Sequence, residues 1–205
     1  FVSRVVPPGR TFVCRMIDLS KRIKHLHYNI KLNNQFRKDV EWWLSYLTGW
    51  NGIHMIPNVD QDHHVYTDAS DIGFAGYFEG QWFAVPYDEN ICNEHSINWR
   101  EMQAVVSAAA TWGSTWSGKR IILHCDNECI VHVVNNGTCR SPDIMDLVRA
   151  LFFISASHQF SVHCVYINTH ENKVADALSR MDFARFWLEA PEALVQPVTP
   201  VIYGF

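Results

Sequence analysis

What the 205-residue chain lacks narrows its class before any motif is read. No apolar run approaches the ~20 residues that a membrane-spanning helix requires, so no membrane association is expected. The six cysteines, at positions 14, 92, 125, 129, 139 and 164, form no CxxC pair, and nothing resembling a secretory signal precedes them. Reduced thiols in an intracellular protein, cytoplasmic or nuclear and not secreted, are therefore expected. Asn136-Gly137-Thr138 matches a glycosylation sequon but, with no sign of secretion, reads as a turn. No initiating methionine opens the chain, and it is expected to be a piece of something longer.

Positive charge is also scarce over most of the length. Residues 1–50 hold 9 Lys/Arg against 3 Asp/Glu, whereas residues 51–205 hold 8 against 18, so the net charge of -4 hides a basic start and an acidic remainder. What the chain has in quantity is apolar residues, 48% of the total, enough for a sizeable core.

After PPGR, read as a loop at 7–10, Phe12, Met16, Leu19, Ile23 and Leu26 recur at helical spacing. Phe36, Val40, Trp43 and Leu47 mark a second helix, with Trp43 rather than Trp42 on the apolar stripe. These predict a helical arm over residues 1–60. From residue 64 short alternating runs predict strands at 64–69, 72–79 and 81–86, joined by turns at Ser70-Asp71 and Glu79-Gly80 that allow only antiparallel pairing. Helix and strand then alternate: helix 99–113, strand 120–126, helices 128–136 and 143–157, strand 161–167, and a last helix from 173. The fold class expected is α/β, a mixed sheet with helices on its faces, over residues 61–187. Residues 188–205, with no period, read as a tail or linker.

Four carboxylates sit at strand ends or helix openings. Alternation in HVYTDAS puts His64, Tyr66 and Asp68 on one strand face, and in IILHCD puts Ile122, His124 and Asp126 together. Asp68 also suits a turn. Glu101 closes Asn98-Trp-Arg-Glu, close to a capping box, yet it falls in line with Val105, Ala108 and Trp112 on the stripe that should face the core. Asp176 follows a possible cap at Asn172 by one turn, where the helix dipole favours an acid. Lys and Arg are sparse near all four, so their mutual repulsion calls for hard divalent cations. Cys125, Cys129 and His132 make a poor zinc set, because Cys125 points away from the Asp126 face.

These four segments resemble, in order and placement, the type I ribonuclease H family over roughly residues 62–182, and above all the ribonuclease H domains joined to retroelement reverse transcriptases. TDAS with Gly73, Asp126-Asn127, and NKVADALSR with its AD-x-LSR ending carry the likeness. VVPPGRTF and DVEWWLSYLTGWNG are similar to the segment joining polymerase to ribonuclease H in DIRS-like elements. The resemblance implies a five-stranded ribonuclease H-like sheet and two Mg2+ (or Mn2+) ions held by Asp68, Glu101, Asp126 and Asp176. It implies an RNA–DNA hybrid as substrate, cut in its RNA strand, and the reverse transcriptase domain of the same polyprotein as partner. Asn98 and Asn127 are expected at the substrate backbone, though Asn98 suits a helix cap equally. The family's loop histidine, about ten residues before the last aspartate, is replaced here by Tyr166; His170 lies closer, and its part in catalysis is left open. Two other readings stand beside the nuclease: a non-catalytic nucleic-acid-binding or scaffolding module of the same descent, and a recombinase or transposase of the same fold.

Overall fold

The structure is a computed structural model that describes residues 6–23, 25, 27–49 and 61–203. The chain forms two compact units, Phe1–Met55 and Ile56–Phe205. Among the described residues, no helix is long and apolar enough to cross a membrane.

In the first unit Pro7–Val13 wind into a 3-10 helix where a loop was expected, leading into α1 (Cys14–Lys21); α2 (Asn34–Gly49) follows. The apolar period predicted a helix continuing to Leu26, but α1 stops at Lys21, where the Arg22 N–H closes on the carbonyls of Leu19 and Ser20. Leu26 itself, and the expected end of the arm near residue 60, lie outside the described residues. The stripe assigned to α2 is corrected too. Trp42 and Asp39 are its buried residues, while Trp43 is half-buried and Leu47 exposed. The cause is Phe12, whose ring stacks on Trp42 at 3.7 Å while Tyr46 stacks on the same indole at 4.9 Å.

The second unit is built on a five-stranded sheet of β1 (Asp62–Ala69), β2 (Gly73–Phe78), β3 (Gln81–Pro86), β4 (Arg120–Cys125) and β5 (Ser161–Tyr166) in the order β3-β2-β1-β4-β5. The first three pair antiparallel, and β4 and β5 join parallel to β1 and to each other. Glu79 and Gly80 both take positive φ, 48° and 81°, as a two-residue hairpin turn of matching twist requires. Gly73 has a different reason. A Cβ there would run into the Val85 carbonyl and the Met181 methyl group, so only glycine lets β2 enter beside β3.

Helices α3 (Glu89–Glu94), α4 (Ile97–Trp112), α5 (Glu128–Asn136), α6 (Pro142–His158), α7 (Lys173–Ser179) and α8 (Phe183–Glu189) complete the unit. The alternation of β1 sends Val65 and Thr67 to the face covered by α4 and α5, with α6 packed against α4, where Phe74, Phe83, Val105, Trp116, Leu123 and Leu151 make the main core. On the other face α7 and α8 cover β1 to β3 through a smaller cluster of Ala75, Trp82, Leu178 and Phe186. This is the expected α/β fold, a mixed five-stranded sheet with helices on both faces. Two stretches differ from the reading. Short α3 has no apolar period to announce it. Residues 190–203, expected as a tail or linker, hold no regular element but are pinned: the Leu194 and Val198 amides donate to Gly80 and Trp82 carbonyls, and Gln103 Nε2 donates to the Tyr203 carbonyl at 3.0 Å.

Candidate active site

Two parallel strands that leave the sheet side by side create a crevice at their carboxyl ends, and the four carboxylates lie around it. Asp68 stands one residue before the end of β1 and Asp126 directly after β4; Glu101 comes in from α4 and Asp176 from α7. All four line one open cleft of about 710 Å³, together with Asn127, Thr169, Arg100 and Arg180.

Glu101 is 3% exposed and in line with buried Val105, Ala108 and Trp112. It does not close a capping box, because α4 begins earlier: Ser96 is the cap, its hydroxyl accepting from the Trp99 N–H at 3.3 Å. That shift frees Glu101 to accept from the Ala69 amide at the end of β1. Burial first, then the charges of Asp68 and Asp126, push the Glu101 carboxyl well above its usual range. Asp68, 4% exposed, is raised to about 7, again mainly by burial, with Asp126 and Asp176 adding to it and the Ser179 hydroxyl, which donates to Oδ2, opposing it. Among the described residues no arginine or lysine ion-pairs with Asp68, Glu101 or Asp126. Asp126 is oriented by Thr169, whose hydroxyl donates to Oδ2 at 2.7 Å.

Asp176 breaks the pattern, and the expectation that no cation accompanies the four carboxylates is corrected there. Arg180 Nε donates to Oδ1 at 2.7 Å and Arg185 Nη1 to Oδ2 at 2.5 Å. Burial alone would raise this carboxyl, but the two arginines overcome it and hold Asp176 below the ordinary aspartate range. Arg180 follows at i+4 as the residue that caps α7, a legible spacing. Arg185 arrives only because the chain turns back at Met181, a non-glycine residue with φ of 56°.

The remaining expected residues divide. Asn127 lines the cleft and caps α5, its Oδ1 accepting from the Cys129 and Ile130 amides, while its Nδ2 donates to Asn98 Oδ1 at 2.8 Å. Asn98 is thus the partner of Asn127 and not a cap. Asn172 likewise makes no side-chain cap; it is buried and donates to the Thr67 carbonyl, fastening α7 to β1. His170 is exposed and is not among the cleft-lining residues; its neighbour Thr169 is the one that reaches Asp126.

Glu101, Cys125 and Asp126 each place one ligand atom within 4.8 Å of the others. Burial and the neighbouring Glu101 push the Cys125 thiol well above its usual range, so it serves as an S–H donor to Glu101 Oε2 at 3.8 Å. The oxygens of Glu101 and Asp126 remain from this cluster, with Asp68 lining the same cleft, and hard oxygen donors suit magnesium or manganese. The chemistry of these residues fits such ions. Ser179, Thr169 and Arg185 were missed from sequence: the first two carry no periodic signal, and the third depends on a turn.

The family described as reverse transcriptase-like matches residues 89–182, a stretch holding Glu101, Asp126 and Asp176. That match, over somewhat less than half of the chain, and the strand order together support a ribonuclease H-like domain. No curated protein matches the chain. Among solved structures, an RNase H1 isolated from compost by a metagenomic approach is 18% identical with a TM-score of 0.46, over 60% of this chain and 97% of its own. An RNase H1 from the halophilic archaeon Halobacterium salinarum is 15% identical with a TM-score of 0.42, over 60% of this chain and 99% of its own.

Proposed function

We propose that this chain is a divalent-metal-dependent endonuclease that hydrolyses the RNA strand of RNA–DNA hybrids, the ribonuclease H domain of a DIRS-like retroelement polyprotein. The observation that carries the reading is the convergence of Asp68, Glu101, Asp126 and Asp176 on one cleft, with Asp68 and Glu101 buried, raised and, among the described residues, in no ion pair with an arginine or lysine. Buried carboxylates of this kind are costly unless protonated or bound to a cation. Two Mg2+ or Mn2+ ions bound there would activate water and stabilise charge on the leaving oxygen of an in-line phosphoryl displacement. Asp68 and Asp126 would be the central ligands, with Glu101 and Asp176 on either side. Ser179 holds Asp68 and Thr169 holds Asp126 in orientation, while Asn127 and its partner Asn98 face the path of a substrate backbone. Residues 1–60 are read as the end of the polymerase or connection region, residues 61–187 as the nuclease, and the reverse transcriptase of the same polyprotein as partner.

One observation favours the alternative of a non-catalytic nucleic-acid-binding or scaffolding module: both Asp176 oxygens are taken by arginines. End-labelled hybrid, double-stranded RNA and double-stranded DNA, each with magnesium and with chelator, separate the readings. Cutting of the hybrid's RNA strand in magnesium alone is the expected result. Binding without cutting supports the module, and cutting of double-stranded DNA supports a recombinase.

A further inference from the structure

Of the four cleft carboxylates, Asp176 alone has its charge answered by ion pairs among the described residues. The arrangement is lopsided. The Asp176 side chain is 8% exposed, whereas the guanidinium-bearing side chains of Arg180 and Arg185 are 54% and 38% exposed. A buried anion is thus held by two cations that face solvent at the rim of the cleft. The guanidinium fork matches two oxygens of a phosphate as well as those of a carboxylate, so what these arginines offer Asp176 they can offer a phosphodiester.

The surroundings give that exchange a purpose. Residues 51–205 are acidic, with 18 Asp/Glu against 8 Lys/Arg. Of the two arginines lining the cleft, Arg100 is committed, donating to the Ser70 carbonyl at 2.7 Å and to Asp71 at 2.9 Å. A polyanion entering the cleft therefore meets carboxylates unless Arg180 and Arg185 turn outward. Arg185 moreover stands on α8, beyond the residues that the reverse transcriptase-like family matches.

The geometry points to a two-arginine phosphate site at the rim of the cleft, made by Arg180 and Arg185 and masked by Asp176, that takes a nucleic-acid backbone phosphate once Asp176 gives its lone pairs to another cation. This inference rests on the nuclease reading, which supplies both the cation and the polyanion. Binding of divalent cation and of nucleic acid is then positively and reciprocally coupled through one carboxylate.

The test is a double-mutant cycle in chelator, where no cleavage competes. Fluorescence anisotropy of a labelled RNA–DNA hybrid is followed against salt for the parent chain, Asp176→Asn, Arg185→Gln and the double variant. Asp176→Asn should bind more tightly, with a salt slope steeper by about 0.9 for each phosphate newly neutralised. Arg185→Gln should change parent binding by less than about twofold, the size of an exposed ion pair, and should remove much of the gain in the Asp176→Asn background. Equal effects of Arg185→Gln in both backgrounds would mean that Asp176→Asn only removes a repelling charge, and would overturn the proposal. Magnesium calorimetry on Arg185→Gln, whose side chain is half-exposed, covers the case in which Asp176→Asn does not fold. Losing its competitor, Asp176 should take magnesium about two- to fivefold more tightly, and unchanged or weaker binding overturns the proposal. A parent that binds neither magnesium nor hybrid sinks the nuclease reading as well; a parent that binds both while the cycle is additive sinks this inference alone.

Discussion

Replacing Asp68 by Asn should make the metal-free protein more stable above neutral pH, against the usual sense of losing a buried polar group. The Asp68 carboxyl is raised from 3.8 to about 7, chiefly by burial, a difference that corresponds to roughly 4 kcal/mol against the ionised form. The sign follows from proton counts. Between about pH 4 and about 7 the folded chain holds a proton on this cluster that the unfolded chain has lost, so stability falls as pH rises through that window, and the full penalty stands above it. Glu101 is shifted in the same direction and shares the titration, so the protons belong to the pair and not to one residue. Asp176, held low, contributes stability above the pKa of an unfolded aspartate and loses it only at more acid pH, outside the window. His124, lowered by burial and by His64, slopes the other way. The comparison is therefore made between parent and Asp68→Asn at each pH. Urea unfolding in chelator at several pH values from 5 to 8 should show the variant gaining on the parent as pH rises, by up to about 3 kcal/mol, the remainder of the difference lying below pH 5. Magnesium should restore the parent at pH 8 and help the variant less. A variant less stable than the parent at pH 8, by a margin unchanged from pH 5, would refute the reasoning and leave Asp68 an ordinary hydrogen-bonded aspartate.

Two further outcomes are expected. Thr169→Val removes the 2.7 Å hydrogen bond to Asp126 at nearly constant volume, so calorimetry should show magnesium bound about three- to tenfold more weakly while the metal-free melt stays close to the parent's. Gly73→Ala places a Cβ against the Val85 carbonyl and 3.1 Å from Pro86 Cα, and should cost at least about 1–3 kcal/mol in urea unfolding, since backbone on the neighbouring strand cannot give way as a side chain can.

The sheet was legible because its strands carry period-2 alternation that burial enforces: Val65 and Thr67 point into the main core, and Tyr66 and Asp68 point the other way. The same alternation, with the stripe through Glu101, Val105 and Ala108, placed the carboxylates that the structure finds around one cleft. What stayed hidden depends on the path of the chain. Arg185 reaches Asp176 through a turn at Met181, and Trp42 replaces Trp43 in the packing of α2 because Phe12 lies across it. Ser96 caps α4 two residues before Asn98, a displacement within the uncertainty of any helix start read from sequence. Residues 190–203 gave no signal because their order comes from hydrogen bonds donated to and by residues far away in the chain, among them Trp82 and Gln103, and not from any period of their own.

The most direct measurement is single-turnover cleavage of an RNA–DNA hybrid labelled on its RNA strand, in magnesium and in chelator, by the parent chain and by Asp126→Asn. Asp126 lies in the cleft within reach of Glu101, and the asparagine keeps its shape while removing a charge. The account predicts cleavage by the parent in magnesium, none in chelator, and a loss of at least about a thousandfold in the variant with its fold intact. Cleavage that persists in chelator, or that survives Asp126→Asn at near the parent rate, would contradict it.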